Sequence, residues 1–327
     1  MRVAVCADME GLSGIDRVEH CFPAWGEQYR HGVRMLIGDL EAAVNGAMEA
    51  GATEVVLADW HYLGRNIPAA AFPDLTIRRL WRGGRPSIGP EGLGSPDAAV
   101  LVGVHAGAGN PEGFLSHTFW SGMSVLLEGT PLPEATLWTL ALGGDGIPVA
   151  AIAGDQRAID EATDLLPGMA SISVKAGTSR TSALLRPPPD AREEMEEVVR
   201  TALEHPGEPT THPFPADATI RFAESSHAES AAERGIGERT GRSDISTRIG
   251  SVHDLMPFLA RGLLATRLGE TPRLADTLFP RRTGAWARLG TRSLLALSGW
   301  MERRTVRAWA EEDPSIYPRV RAADDTA

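Results

Sequence analysis

The chain opens on a short apolar run, Val3-Ala4-Val5-Cys6-Ala7, that stops at Asp8, and the same pattern returns three times. Thr53 to Leu57 leads to Asp59-Trp60-His61, Ala98 to Val104 ends at His105, and Val149 to Ile152 runs into Gly154-Asp155. Runs of this kind predict strands covered on both faces, the habit of a parallel sheet. Between the first two, Val33, Leu36, Ile37, Leu40, Val44, Ala47 and Met48 recur at three- and four-residue spacing, which predicts an amphipathic helix over 29–50 that Gly51 ends. Strands alternating with helices specify an α/β fold, a largely parallel sheet flanked by helices. Ligands of such sheets collect beyond the carboxyl ends of the strands. Here those ends carry Asp8, Glu10, Asp59, His61 and His105.

After Arg180 the pattern loosens. Pro187-Pro188-Pro189 precedes an acidic helical stretch over 190–204, residues 205–215 read as loop, 218–223 as a strand and 252–264 as a closing helix. The expected division is an α/β domain over 1–180, a smaller α+β part over 181–266 and an added helical tail over 267–327. The tail differs in charge. It carries eleven arginines against eight acids, and between Arg281 and Arg307 seven arginines face the single acid Glu302, with Trp286 and Trp300 interleaved. Amphipathic helices packing on the body or on a neighbouring subunit are the expectation, with a lipid-surface or anionic-partner helix as the alternative.

Composition narrows the function classes. With 43 acidic and 32 basic side chains the net charge is −11, which argues against a nucleic-acid partner. Cys6 and Cys21 are too few for a disulfide scaffold and read as buried small apolar residues. The N-terminal apolar run is too short for a signal-peptide core, and no uncharged run reaches the ~18 residues of a spanning helix, so a cytoplasmic location is expected.

A hydrolytic two-metal site requires a carboxylate able to bridge two cations, further carboxylate and imidazole ligands, an open position for water and a group for proton transfer. Asp8 and Glu10 lie two apart, His61 and His105 follow strands, and Glu134 stands in Pro-Leu-Pro-Glu-Ala at the start of a predicted helix. His117 lies twelve residues beyond His105. Taken singly, each of these is commonplace. Together, Asp8-Met9-Glu10-Gly11 with Ser13-Gly14, Ala50-Gly51-Ala52-Thr53-Glu54-Val55 before Asp59-Trp60-His61, Gly103-Val104-His105-Ala106, Ser116-His117-Thr118 and Gly154-Asp155 resemble, in order and spacing, the motifs of the zinc D-aminopeptidase family, peptidase family M55. The resemblance runs from residue 1 to about 266.

What the resemblance implies is a cocatalytic centre of two Zn²⁺ per chain, with Asp8, Glu10, His61, His105 and Glu134 as ligands and His117 as the catalytic histidine. It further implies short peptides or amino acid amides as substrates, cleavage after an N-terminal D-residue, and a homo-oligomer, since family members form decameric rings around a cavity. Lys175, the one lysine of the chain, matches a family position that would face substrate or oxyanion, with a surface lysine as the alternative. Asn66 is a candidate substrate contact or local cap, and Asp59 a candidate partner for the second ring nitrogen of His61. Trp60 stands where the family usually has a small residue, which puts the wall or the packing behind the site in question. The rival readings are an L-specific or pathway-specific metallohydrolase on the same centre, a phosphoesterase, and a scaffold whose metal centre has decayed.

Overall fold

The computed structural model describes residues 1–62, 64–79, 81–82, 85–86 and 92–269. In chain order the elements are β1 (Arg2–Ala7), α1 (Glu27–Glu49), β2 (Glu54–Asp59), β3 (Thr76–Arg79), β4 (Trp81–Arg82), β5 (Arg85–Pro86), β6 (Ala98–Val104), β7 (Met123–Leu127) and β8 (Thr130–Leu132). They continue with α2 (Glu134–Gly144), β9 (Val149–Asp155), α3 (Gln156–Leu165), β10 (Ala170–Ser179), β11 (Ser182–Leu185), α4 (Pro188–Glu204), β12 (Ala216–Phe222), α5 (Ser225–Glu233), β13 (Glu238–Arg239), β14 (Asp244–Ile249) and α6 (Val252–Gly269).

The main sheet has seven strands in the order β11-β10-β9-β6-β1-β2-β3, all parallel except β11. Alternation along β1 explains why its whole run is apolar. Val3, Val5 and Ala7 enter the core beneath α1 and α4, while Ala4 and Cys6 enter a second core shared with α2, α3 and the other sheet. That other sheet is antiparallel, in the order β13-β14-β12-β7-β8. It draws two strands from before residue 180 and three from after it, and the expected cut at 180 falls inside the main sheet, between β10 and β11. The predicted helix over 29–50 forms as α1, but Met48 lies on its outer side, 51% exposed, because Leu36, Leu40, Ala43 and Ala47 complete the buried stripe. The predicted tail lies outside the described residues from 270 onward. Among the described residues no helix is long and apolar enough to cross a membrane.

Strand order fixes where a site can form. The chain lays down β1, β2 and β3 in one direction, then returns to place β6, β9 and β10 on the other side of β1. The carboxyl ends of β1 and β6 therefore flank a topological switch point, where the connections diverge and leave a crevice. Register brings three strand ends to one level, since Ala7 pairs with Asp59 on one side and with Val102 on the other. Asp8, His61 and His105 follow directly.

The turn beyond β1 crosses the end of β6 in close contact, with Asp8 N donating to Val102 O at 2.8 Å and Gly11 N to Gly103 O at 2.9 Å. Gly103 has φ +82°, and a Cβ there would stand 2.2 Å from Asp8 O. Replacing Gly103 by alanine therefore combines left-handed strain with a backbone clash, and Gly103→Ala is expected to lose at least about 2 kcal/mol of stability in urea unfolding.

Candidate metal centre

The strand-end residues converge. Asp8 divides its two oxygens between two histidines, with Oδ1 2.9 Å from His61 Nδ1 and Oδ2 3.3 Å from His105 Nε2. Glu10 Oε2 lies 3.0 Å from the same His61 nitrogen, and Glu134 Oε2 lies 3.7 Å from His105 Nε2. Asp8, Glu10 and His105 can each offer a ligand atom within 4.8 Å of one another, and so can His105, His117 and Glu134. His105 belongs to both groups, which makes this one extended donor set. The side chains of Glu10 and His105 are 2% and 1% exposed and that of Asp8 is 18% exposed, so the set opens to solvent on the Asp8 side.

Each histidine is oriented by a backbone carbonyl, which can only accept a hydrogen bond. His61 Nε2 lies 2.8 Å from Cys21 O, His105 Nδ1 3.0 Å from Ala106 O and His117 Nδ1 2.7 Å from Leu115 O. In the neutral ring the proton therefore sits on that nitrogen, and the other nitrogen faces the centre. His117 stacks on His105 with ring centroids 4.1 Å apart and planes 3° from parallel. Non-glycine residues in the left-handed region border the set: Tyr62 beside His61, and Leu115 and Phe119 on either side of His117. Such strain persists only where surrounding contacts over-determine the backbone.

The electrostatics favour a cation. Burial alone would keep His61 and His105 neutral, but Glu10 and Asp8 around the first, and Asp8 and Glu134 around the second, raise their proton affinity well above the ordinary histidine range. Burial likewise pushes Asp8 up, and the imidazoles of His105 and His61 against its two oxygens more than reverse this, holding its carboxyl well below the usual range. His117 goes the other way: burial and then the neighbouring His105 charge lower its pKa. Glu10 Oε2 and His105 Nε2 are sealed from water and lack a hydrogen bond of proper geometry despite charged neighbours within 3.0 and 3.3 Å. Buried donors and acceptors left in that condition are costly. A divalent cation between them would satisfy both, and a donor set of carboxylates and imidazoles suits zinc.

Buried braces hold this arrangement in place. Lys175 is 1% exposed, which excludes the surface reading. Its ammonium donates to the carbonyls of Glu10 and Ile15, at 2.8 Å for the latter, and lies 4.5 Å from the centre of the Phe114 ring, tying the turn beyond β1 to β10. Burial lowers its pKa to about 8. Asn66 is buried too, while Arg65 before it is exposed. Asn66 Nδ2 donates to Asp59 Oδ1 at 2.9 Å and to the His61 carbonyl at 2.8 Å, and Asn66 Oδ1 accepts from the Tyr29 hydroxyl at 2.8 Å. Asp59 is not the partner of the His61 ring, a position the Cys21 carbonyl takes. It accepts instead from the backbone of Asn66 and Ile67, because the chain turns back over it after β2.

Several further residues escape the sequence reading. Asp39, fully buried on α1, accepts from Ser13 N and the Ser13 hydroxyl and binds Arg192 Nε at 2.9 Å. Asp155 accepts from Phe114 N at 3.0 Å and Gly177 N at 2.8 Å, and Glu161 from Gly107 N and Asn110 Nδ2, both at 2.7 Å. These acids pin the loop that carries His105 and His117. Asp155 lies in a motif that marked the resemblance, whereas Asp39 and Glu161 leave no trace beyond a charge on a helix. Trp138, which donates its indole N–H to Glu134 Oε1 at 3.2 Å, was signalled only by its place one turn after Glu134.

The family model of the M55 peptidases, described as D-aminopeptidase, matches residues 1–260. A Bacillus subtilis (strain 168) protein named D-aminopeptidase is 28% identical over 235 residues, covering 70% of this chain and 84% of the relative. A solved structure described as the zinc-dependent D-aminopeptidase DppA from Bacillus subtilis, a self-compartmentalizing protease, superposes with a TM-score of 0.73 at 24% identity, covering 83% of this chain and 98% of that one. At that identity the superposition establishes the fold, a mostly parallel sheet with helices and a second antiparallel sheet. The family match covers most of the chain, and the chain is therefore a member of peptidase family M55, the D-aminopeptidases.

Proposed function

We propose that this chain is a zinc aminopeptidase that removes the N-terminal residue, with D-residues preferred, from short peptides or amino acid amides in the cytoplasm, using two Zn²⁺ per chain. The observation that carries the reading is the buried meeting of Asp8, Glu10, His61, His105 and Glu134, with Glu10 Oε2 and His105 Nε2 sealed from water and lacking a hydrogen bond of proper geometry. Membership of the M55 family and the names of the similar proteins support the reaction and the D preference.

Asp8, Glu10, His61, His105 and Glu134 would hold the ions, and the two oxygens of Asp8 each face a different histidine of this set. Zinc in such a site supplies Lewis acidity and a water of lowered pKa. His117 is placed to handle the proton. Its Nδ1 proton is committed to Leu115 O, so Nε2 is the basic nitrogen, and burial beside His105 keeps the ring neutral and able to accept at neutral pH. It also stands close enough to His105 and Glu134 to be the third donor of that group, and metal content separates the two roles. Lys175 and Asn66 act in this reading by fixing the loops that bear Glu10 and His61. Assembly into a decameric homo-oligomer ring, which would limit access to short peptides, is part of the proposal and is supported by the self-compartmentalizing description of the similar structure.

Protein titrated with zinc and freed of excess should hold about two ions per chain by elemental analysis. His117→Ala should retain them while turnover falls by about 10²-fold or more, and a concurrent loss of zinc would reassign His117 as a ligand. Glu134→Ala should hold one ion fewer. With paired D- and L-alanyl amides, hydrolysis confined to the L series would replace the D preference by the L-specific reading. A native mass other than ten chains would remove the decamer.

A further inference from the structure

Glu134 is the one proposed ligand that comes from a helix instead of a loop at the end of a main-sheet strand, and its carboxylate must be aimed across the layer boundary. Two hydrogen bonds aim it: Phe119 N donates to Oε2 at 2.8 Å, and the indole N–H of Trp138 donates to Oε1 at 3.2 Å. The Trp138 bond runs between residues four apart on α2, the spacing at which helical side chains meet. Trp138 is buried, so its N–H needs a partner, and Glu134 provides it. The ring of Trp138 is held in turn. Trp60, immediately before His61, stacks on it with centroids 4.1 Å apart and planes 25° from parallel, and Phe119 meets it edge-on at 5.4 Å.

We propose that the Trp60–Trp138 stack is a positioning device for the metal centre: Trp138 fixes the carboxylate of Glu134, and Trp60 locks Trp138 to the segment that bears His61. The proposal rests on the reading of Glu134 as a zinc ligand. It gives Trp60 a task in the packing behind the site. At that position Trp60 meets a second flat side chain, which α2 supplies. Partners that orient a ligating group in this way are worth about 10- to 100-fold in metal affinity.

The test is zinc binding to the full chain, followed by competition with a chromophoric chelator. Trp138→Phe keeps an aromatic ring for the stack and removes only the N–H. The expected result is one zinc bound 10- to 100-fold more weakly, the other unchanged, and a thermal midpoint close to that of the parent chain. Activity lost at limiting zinc should return in excess zinc, which a general packing defect would not produce. Trp60→Leu, which leaves every Glu134 hydrogen-bonding atom in place, should weaken the same ion severalfold, and it carries the test if Trp138→Phe does not fold. A Trp138→Phe isotherm that superimposes on the parent, alongside a Glu134→Ala variant that loses one ion, would overturn the positioning role while leaving the ligand reading intact. A Glu134→Ala variant that binds both ions as the parent does would instead remove the ligand reading and the proposal with it.

Discussion

Acids and imidazoles packed within 3.7 Å of one another and largely buried impose the strictest demand in this molecule. Asp8, Glu10 and Glu134 lean on His61 and His105 at distances of 2.9 to 3.7 Å, and the two histidines respond with strongly raised proton affinity. In a medium of low dielectric such a group is tolerable only when positive charge sits among the carboxylates and the geometry is held firmly. A divalent cation meets the first condition, and the rest of the fold meets the second.

The firmness comes from buried polar braces, one for each segment that contributes to the centre. Lys175 and Asp39 hold the turn carrying Asp8 and Glu10, Asp59 with Asn66 holds the His61 segment, and Asp155 with Glu161 holds the loop from His105 to His117. Glu134 is held by Phe119 N and Trp138. Most of these braces join a side chain to main-chain atoms, which fixes the path of a loop as well as a single rotamer. Loops at the carboxyl ends of parallel strands have no ladder of their own, so side chains must supply what a sheet would otherwise give. The left-handed residues Tyr62, Leu115 and Phe119 mark where the backbone around the centre leaves unstrained geometry to comply.

The two layers divide the labour. The main sheet brings Asp8, His61 and His105 to one level through the register of β1 with β2 and β6. The second sheet contributes β7 and β8, which lead directly into α2 and so deliver Glu134 from the opposite side. A centre enclosed from two layers stays open to solvent at Asp8, whose side chain is 18% exposed. It also makes the packing between layers, where Trp60 meets Trp138, part of the geometry of the centre.

The central strands, α1 and the strand-end acids and histidines were legible in the sequence because each depends on local order. An apolar run buried on both faces, a three-to-four periodicity, and a polar residue at the end of a run are all properties of neighbours along the chain. The antiparallel sheet was largely illegible, since β7 finds its central partner β12 about a hundred residues further along the chain and β8 and β13 are very short. The same distinction applies within the site. Resemblance to the family marked Asp8, Glu10, His61, His105, His117 and Glu134 as a group. Only tertiary structure decided that the His61 ring turns to the Cys21 carbonyl and not to Asp59, that Lys175 spends its charge on two carbonyls inside the core, and that Trp60 faces Trp138. Those outcomes depend on which way a side chain points once remote segments have packed around it, and the direction is set by burial and hydrogen-bond satisfaction between parts of the chain that no local pattern connects.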